Sequence, residues 1–163
     1  MAESGQNMGC IHSQAVASML MNLPEQLPML GDPVLDREHH DFAQLVSALA
    51  DSTQADAATK LDALRALATS HFAHEDAELA RVGGPNAQCH LDEHAAVLQS
   101  LGQVRAMIET TPDMLLCHRL VAELQRWLPE HVQAMDAGLA TSLTQTRLGG
   151  APLVLHRRQP AQD

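Results

Sequence analysis

One short segment late in the chain sets a histidine and a carboxylate into a helical pattern, and it reads Leu128-Pro129-Glu130-His131-Val132-Gln133-Ala134-Met135-Asp136. His131 and Asp136 are separated by roughly 140° of rotation around an ideal α-helix. They can share one site if Asp136 reaches around the helix, or if the helix carries a one-residue bulge there. The sequence leaves both possibilities open.

Three earlier segments carry the same kinds of side chain, and they contain His39, His71 with Glu75, and His90 with His94. Residues i and i+4 lie roughly 40° apart around a helix, so each pair points to one side. Imidazoles and carboxylates together suit iron and other borderline metals, whereas thiolates would indicate zinc or clusters. A single pair of this kind is more often a solvated pair on a helix surface. Only the complete set of seven predicts a metal site.

Apolar residues at steps of three and four predict four helices, which cover approximately residues 36–53, 56–82, 86–110 and 111–148. Gly83 and Gly84 are expected to end the second helix, and Asn86 to cap the third. Thr111 is expected to cap the fourth helix, with Pro112 as its first helical residue. The predicted fold is therefore an all-α, up-down-up-down four-helix bundle over residues 36–148.

The ends of the chain follow a different pattern from the bundle. Residues 1–35 contain Pro24, Pro28 and Pro33, through which a long helix cannot run, so we interpret them as an N-terminal arm. A short helix over about residues 13–22 is possible within this arm. Residues 149–163 show no helical pattern and are predicted to be a disordered tail.

The candidate donors lie at matching depths in such a bundle. His39 and His71 are at similar distances from the loop between the first two helices, and Glu75 and His94 are at similar distances from the following turn. Because the rise per residue is constant in a helix, antiparallel neighbours would place these groups in nearly one layer. Scattered surface histidines would have no reason to follow this arrangement.

Composition narrows the classes of partner and the compartment. The formal net charge of −10 argues against nucleic acid and anionic membranes as partners. There is no apolar run of roughly 18 residues, so no membrane span is predicted. The apolar residues 15–23 follow Glu3 and no Lys or Arg, which argues against a secretory signal. The odd number of cysteines (Cys10, Cys89 and Cys117) favours a reducing, cytoplasmic setting. As a separate expectation, we predict a monomer or weak oligomer.

The chain resembles the hemerythrins, especially the single-domain bacterial members. The matching segments are Asp36-Arg37-Glu38-His39, His71-Phe72-Ala73-His74-Glu75, His90-Leu91-Asp92-Glu93-His94 and the run from Trp127 to Asp136. They correspond to the family's Asp-x-Gln-His, HxxxE, HxxxH and WLxxHxxxxD patterns, with every ligand position filled in order. The chain departs from the family at Glu38, where glutamine is usual, at Leu139, where tyrosine is frequent, and at Gly138 inside the last helix.

This resemblance implies a pair of iron ions joined by a hydroxide or oxo bridge. The seven implied ligands are His90, His94 and His131 on one iron, His39 and His71 on the other, and Glu75 and Asp136 between them. The first iron would then be coordinatively full, and the second would keep one open position. Dioxygen would bind end-on at that position as a hydroperoxide.

The resemblance also implies an apolar oxygen pocket lined by Phe72, Trp127, Leu128 and Val132. We therefore interpret the chain as a non-enzymatic, reversible binder of dioxygen that serves as a carrier, a store or a local supply, with a protein recipient as a possible partner. One alternative is a di-iron enzyme that acts on peroxide, nitric oxide or iron delivery. Another is an oxygen or redox sensor whose output runs through residues 1–35 or the tail.

Overall fold

A computed structural model of the chain describes residues 23, 27–84, 86–111 and 113–149. In this part of the chain the helices are α1 (Pro33–Ala50), α2 (Ala57–Val82), α3 (Ala87–Thr110), α4 (Met114–His131) and α5 (Ala137–Arg147). A π-helical segment, Val132–Asp136, joins α4 to α5 without a break. The described elements include no strand, and the predicted all-α four-helix bundle is confirmed.

Polar contacts between helices show that neighbouring helices run antiparallel. Arg105 near the end of α3 donates from Nε to Asp62 near the start of α2, over 2.9 Å. Asp76 late in α2 accepts from His94 early in α3, over 2.7 Å. The helices pack as a square in which α1 and α3 each contact both α2 and α4.

The apolar core is divided into two clusters. The larger cluster contains Phe42, Leu64, Leu101 and Leu124, and the buried side chain of Leu23 also joins it. The smaller cluster consists of Leu35, Leu79, Leu139, Ala140 and Leu143. Along α1, α2 and the last helix, His39, Glu75 and Asp136 lie between residues of the two clusters. A layer of polar side chains therefore interrupts the core.

The first helix begins three residues earlier than the sequence predicted. Asp32 caps α1 by accepting from the backbone N–H groups of Val34 (3.0 Å) and Leu35 (3.3 Å), and Pro33 is the first helical residue. Proline is tolerated at this position because its missing N–H would have no partner inside the helix. Treating Pro33 as a helix breaker was wrong for this reason.

The cap of α4 also differs from the prediction. Asp113 accepts from the backbone N–H groups of Leu115 (2.9 Å) and Leu116 (3.3 Å), whereas Thr111 ends α3. An aspartate is at least as good a cap as a threonine, and it stands two residues later. Pro112, the possible helix at 13–22 and the predicted tail from Gly150 onward lie outside the described residues.

The turn between α2 and α3 follows the expected glycine signal. Gly83 has a φ of +68°, which glycine adopts without steric cost, and its N–H donates to Leu79 O over 2.8 Å. At the start of α1, Asp36 accepts from the N–H groups of Leu30 (2.7 Å) and Gly31 (3.0 Å), which ties the segment before α1 to its first turn. Within the described residues, no helix has the length and apolar character that a bilayer span requires.

The cap at Asp32 yields a test of stability. Burial raises the pKa of Asp32, but the two backbone donors and Arg147, whose Nη2 lies 2.8 Å from Oδ2, lower it overall. We expect Asp32→Ala to reduce the free energy of unfolding by about 1–2 kcal/mol in urea titrations at neutral pH. Because the pKa is lowered in the folded state, the difference from wild type is present above pH 3.8 and is lost as the pH falls further.

Arg147→Gln is the control, because it removes the exposed partner and leaves the cap intact. Its expected cost is less than about 1 kcal/mol. Equal losses for Asp32→Ala and Arg147→Gln would show that the cap bonds contribute nothing.

Candidate metal centre

Side chains from all four helices of the bundle converge in one buried layer. Each has at most 2% of its surface exposed, and together they are His39, His71, Glu75, His90, His94, His131 and Asp136. The structure therefore brings together all seven residues that the sequence singled out. Seven polar side chains buried at one level need strong partners, since burial of unpaired charge is costly.

The donor atoms form two groups that share one carboxylate. Glu75, His90, His94, His131 and Asp136 each offer an atom within 4.8 Å of the others, and Glu75 belongs also to a second group with His39 and His71. Either group has the composition of a site for a borderline metal ion.

Asp136 also faces both groups. Its Oδ1 lies 2.9 Å from His90 Nε2, and its Oδ2 lies 3.0 Å from His39 Nε2. Each carboxylate could therefore give one oxygen to each of two cations.

The π-helical segment explains how Asp136 reaches the layer. A π-turn contains more residues than an α-turn, so residues i and i+5 lie on nearly the same face. Val132–Asp136 adopts this conformation, and it turns Asp136 toward the side that His131 occupies. Of the two possibilities left by the sequence, the structure shows the bulge. Pro129, which has no N–H to donate to the preceding turn, lies just before it.

Carboxylates outside the seven hold three of the imidazole rings through their Nδ1 atoms. Nδ1 of His71 donates to Glu38 over 3.0 Å, and Nδ1 of His94 donates to Asp76 over 2.7 Å. Because a carboxylate can only accept, each ring carries its proton on Nδ1 and presents the lone pair of Nε2 to the layer. This is the arrangement by which proteins orient metal-binding histidines.

Glu93 holds the third ring. Its Oε2 accepts from Nδ1 of His131 over 2.6 Å and from Nε1 of Trp127 over 3.1 Å. Sequence reasoning missed this role of Glu93 and that of Asp76. The signal that could have found them is position: both follow or precede a candidate ligand directly in the sequence, as Glu38 does.

Electron-rich atoms face each other at the centre of the layer. Nε2 of His94 and Nε2 of His131 are 3.2 Å apart, although both rings carry their proton on the other nitrogen. Both carboxylate oxygens of Glu75 and of Asp136, and Nε2 of His39 and His90, are buried and have no hydrogen-bond partner. Lone pairs this close repel unless cations lie among them, so the donor set fits metal ions such as iron.

The pKa values of His39 and Asp136 are shifted by the charged groups packed around them. Burial lowers the pKa of His39, but the carboxylates of Asp136 and Glu75 outweigh it and raise the pKa to about 9. Burial raises the pKa of Asp136, yet His131, His39 and His90 bring it well below its ordinary range. Protons and metal ions therefore compete for these atoms, as they do at metal sites in general.

One side of the layer is covered by apolar side chains. The ring of Phe72 stacks on His94 with centroids 4.1 Å apart, and Trp127 stacks on His131 with centroids 4.4 Å apart. Leu128 and Val132 are buried in the same apolar cluster. The four residues predicted to line an oxygen pocket therefore lie in one cluster beside the donors.

The other histidines in the described residues lie outside the layer. His40 is exposed and contacts Gln44 over 2.8 Å, and His118 is exposed. His74 is partly exposed, and its Nδ1 lies 3.3 Å from Oε2 of Glu38, the atom that also holds His71. His74 thus contributes to the surroundings of one candidate ligand. His12 and His156 lie outside the described residues.

Residues 30–143 match the family model described as the hemerythrin HHE cation binding domain. The chain belongs to the hemerythrin family. A curated relative, the bacteriohemerythrin of Ralstonia nicotianae, is 40% identical over 116 residues, which cover 71% of this chain and 84% of the relative. No solved structure is a significant match. Family membership and the buried donor layer together support a non-haem iron centre and an oxygen-binding protein.

Two departures of this hemerythrin-family chain from the usual pattern have visible consequences. Glu38, in place of glutamine, brings a negative charge to His71 and His74 rather than a neutral amide. Leu139, in place of a tyrosine, is 3% exposed and packs in the smaller apolar cluster. Neither change removes a donor from the layer.

The contact of Glu93 with His131 yields a second prediction. Glu93→Ala leaves the ring of His131 without its acceptor, so we expect metal affinity to fall by about 10–100-fold. Competition with a coloured chelator measures the affinity. The fluorescence of Trp127, the single tryptophan of the chain, reports the loss of its own partner independently of metal. Glu123→Ala, an exposed change on α4, is the matched control, and an equal affinity in both variants would contradict the role of Glu93.

Proposed function

We propose that this hemerythrin-family protein binds dioxygen reversibly at a di-iron centre and serves as a carrier, a store or a local supply of oxygen. One observation carries the proposal: two groups of buried donors share Glu75 and both face Asp136. A single metal ion would not need donors that divide in this way. Apolar side chains cover one side of the same layer.

The proposed ligands follow the two groups of donors. His90, His94 and His131 would hold one iron, His39 and His71 would hold the other, and Glu75 and Asp136 would contact both. A hydroxide or oxo bridge completes the proposed centre. When bound, a pair of ferrous ions would supply the electrons for the reversible reduction of dioxygen.

The chain itself keeps the donors in place. Glu38, Asp76 and Glu93 fix the rings of His71, His94 and His131 through Nδ1, so the Nε2 atoms point inward without rearrangement. Rings held in this way cost little entropy when a metal binds. We propose that this orientation favours retention of iron while oxygen comes and goes.

The balance of donor types favours binding over turnover. The layer has five imidazoles and two carboxylates, whereas ferritin-like di-iron proteins draw a carboxylate from each of four helices. Neutral imidazoles stabilise the ferrous state better than carboxylates do. This favours reversible oxygen binding over the alternative of a di-iron enzyme.

Phe72, Trp127, Leu128 and Val132 would keep water away from bound oxygen. They are apolar, and three of them are at most 1% exposed while Trp127 is partly buried. A dry pocket slows the escape of reduced oxygen as a charged species, because a charge is poorly solvated there. We propose that these side chains protect the ferrous state.

The setting in the cell is also a proposal. Cys89 is exposed and Cys117 is buried, and both are free thiols. Exposed free thiols suit a reducing compartment, so we propose a cytoplasmic location. A monomer or weak oligomer that delivers oxygen to a protein recipient would be consistent with the proposed function.

Reversible binding can be observed directly. The purified full chain is reduced without oxygen, exposed to air, and followed in the visible region. We expect an absorption band that appears with oxygen, disappears under vacuum and returns over several cycles, with two iron ions per chain. Irreversible oxidation within the first cycle would instead support an enzyme or a sensor.

The apolar wall yields a further prediction. Leu128→Asn places an amide in the pocket and admits water, so we expect the reduced protein to oxidise several-fold faster in air. Leu128→Met is the matched control, since it keeps the wall apolar and of similar volume. Oxidation rates are compared at equal iron content. The same rate in the two variants would remove the protective role of Leu128.

A further inference from the structure

A cavity reaches the donor layer from the end of the bundle at the turn between α2 and α3. Its volume is about 260 Å³, which gives room for several water molecules. Its rim is formed by exposed residues, among them Gly83, Gly84, Asn86 and Gly138. Its inner wall includes Leu79, Leu139 and His90, which are buried.

His90 links this cavity to the candidate metal centre. It is 2% exposed, and its Nε2 lies 2.9 Å from Oδ1 of Asp136 and 3.9 Å from Oε2 of Glu75. A solute that enters the cavity is therefore separated from the carboxylates of Asp136 and Glu75 by the side chain of His90. Their negative charge attracts a cation along this path.

The cavity differs in chemistry from the opposite approach to the layer. A groove of about 450 Å³ between α3 and α4 is lined by apolar side chains such as Val97 and Leu124 and by charged side chains such as Glu93, Glu123 and Arg126. None of the seven candidate donors lines this groove, whereas His90 lines the cavity, so a cation in the groove would not meet the donor layer directly. At the His90 cavity, Asn86, Ser142 and the glycine backbone around the turn offer polar atoms.

Gly138 is one of the residues that line this cavity. It lies inside α5, where a glycine costs about 1 kcal/mol relative to alanine. A Cβ atom added there would meet nothing within 4 Å, so close packing does not explain the glycine. Because Gly138 lines the cavity and the space around an added Cβ is open, a large side chain at this position has room to occupy the cavity mouth.

We propose that this cavity is the route by which a divalent metal ion such as Fe²⁺ enters the folded chain, and that His90 is its first ligand on the way in. The inference rests on the proposed metal centre and adds to it a path. The apolar wall at Phe72 and Trp127 admits a small neutral gas, and the cavity at His90 admits a hydrated ion. The two sides of one layer thus serve different solutes.

The experiment measures the rate at which the metal-free full chain takes up Co²⁺, followed by stopped-flow absorption of the bound ion in the visible region. Gly138→Phe and Ser142→Phe place a ring in the cavity from positions one turn apart. We expect uptake to slow by about tenfold, a factor that corresponds to roughly 1.4 kcal/mol in the barrier. The final spectrum and the number of ions bound should equal those of wild type.

Three controls separate blockage of the cavity from other effects. Gly138→Ala changes the helix propensity at the same position but leaves the mouth open. Gly102→Phe makes the same substitution as Gly138→Phe in α3, at a glycine that also has nothing within 4 Å of an added Cβ and that does not line the cavity. Ser100→Trp narrows the groove between α3 and α4. All three should take up Co²⁺ at the wild-type rate.

The outcomes distinguish this inference from the proposed function. Wild-type rates in both Gly138→Phe and Ser142→Phe, or a slower rate confined to Ser100→Trp, would overturn the route while leaving the metal centre standing. Equal slowing in Gly102→Phe would assign the rate to opening of the bundle as a whole and would also overturn the route. If the wild-type chain binds no Co²⁺ and no Fe²⁺, the metal centre itself fails.

Discussion

The rest of the structure depends on a layer of buried lone pairs, which repel one another unless cations lie between them. Nε2 atoms of His94 and His131 approach to 3.2 Å, and the oxygens of Glu75 and Asp136 lie among them without hydrogen-bond partners. This layer divides the apolar core into two clusters, one on each side. The clusters hold the four helices together above and below the layer, so the donors stay in register at the position where apolar packing stops.

Orientation of the donors passes from one helix to the next around the bundle. Glu38 on α1 holds His71 on α2, and Asp76 on α2 holds His94 on α3. Glu93 on α3 then holds His131 on α4. Each of these carboxylates is adjacent in sequence to a candidate ligand, so each of the first three helices both supplies a donor and orients one on the next helix. A helix that shifted along its axis would lose both contacts together, and the register of the bundle and the geometry of the site are therefore coupled.

The last helix departs from regular geometry, and this departure serves the site. The π-helical segment Val132–Asp136 brings Asp136 onto the face of His131 and turns Ala134 and Met135 toward the cavity beside His90. The layer thus has an apolar side with Trp127 and Phe72 and a side with polar groups at the helix turn. We propose that oxygen reaches the layer from the apolar side and a metal ion from the side with polar groups.

The sequence by itself determined the four helices, their antiparallel order and which seven side chains converge in one layer, because apolar periodicity and the spacing of His and carboxylate residues can be read directly along the chain. The helix starts at Pro33 and Met114 were missed, since the choice between neighbouring caps depends on which backbone N–H groups a side chain can reach. Only the tertiary structure decided that a π-bulge directs Asp136 inward. It also decided that Asp76 and Glu93 orient ligands across helices and that a cavity opens beside His90, because contacts between helices depend on distances that no single segment of the chain contains.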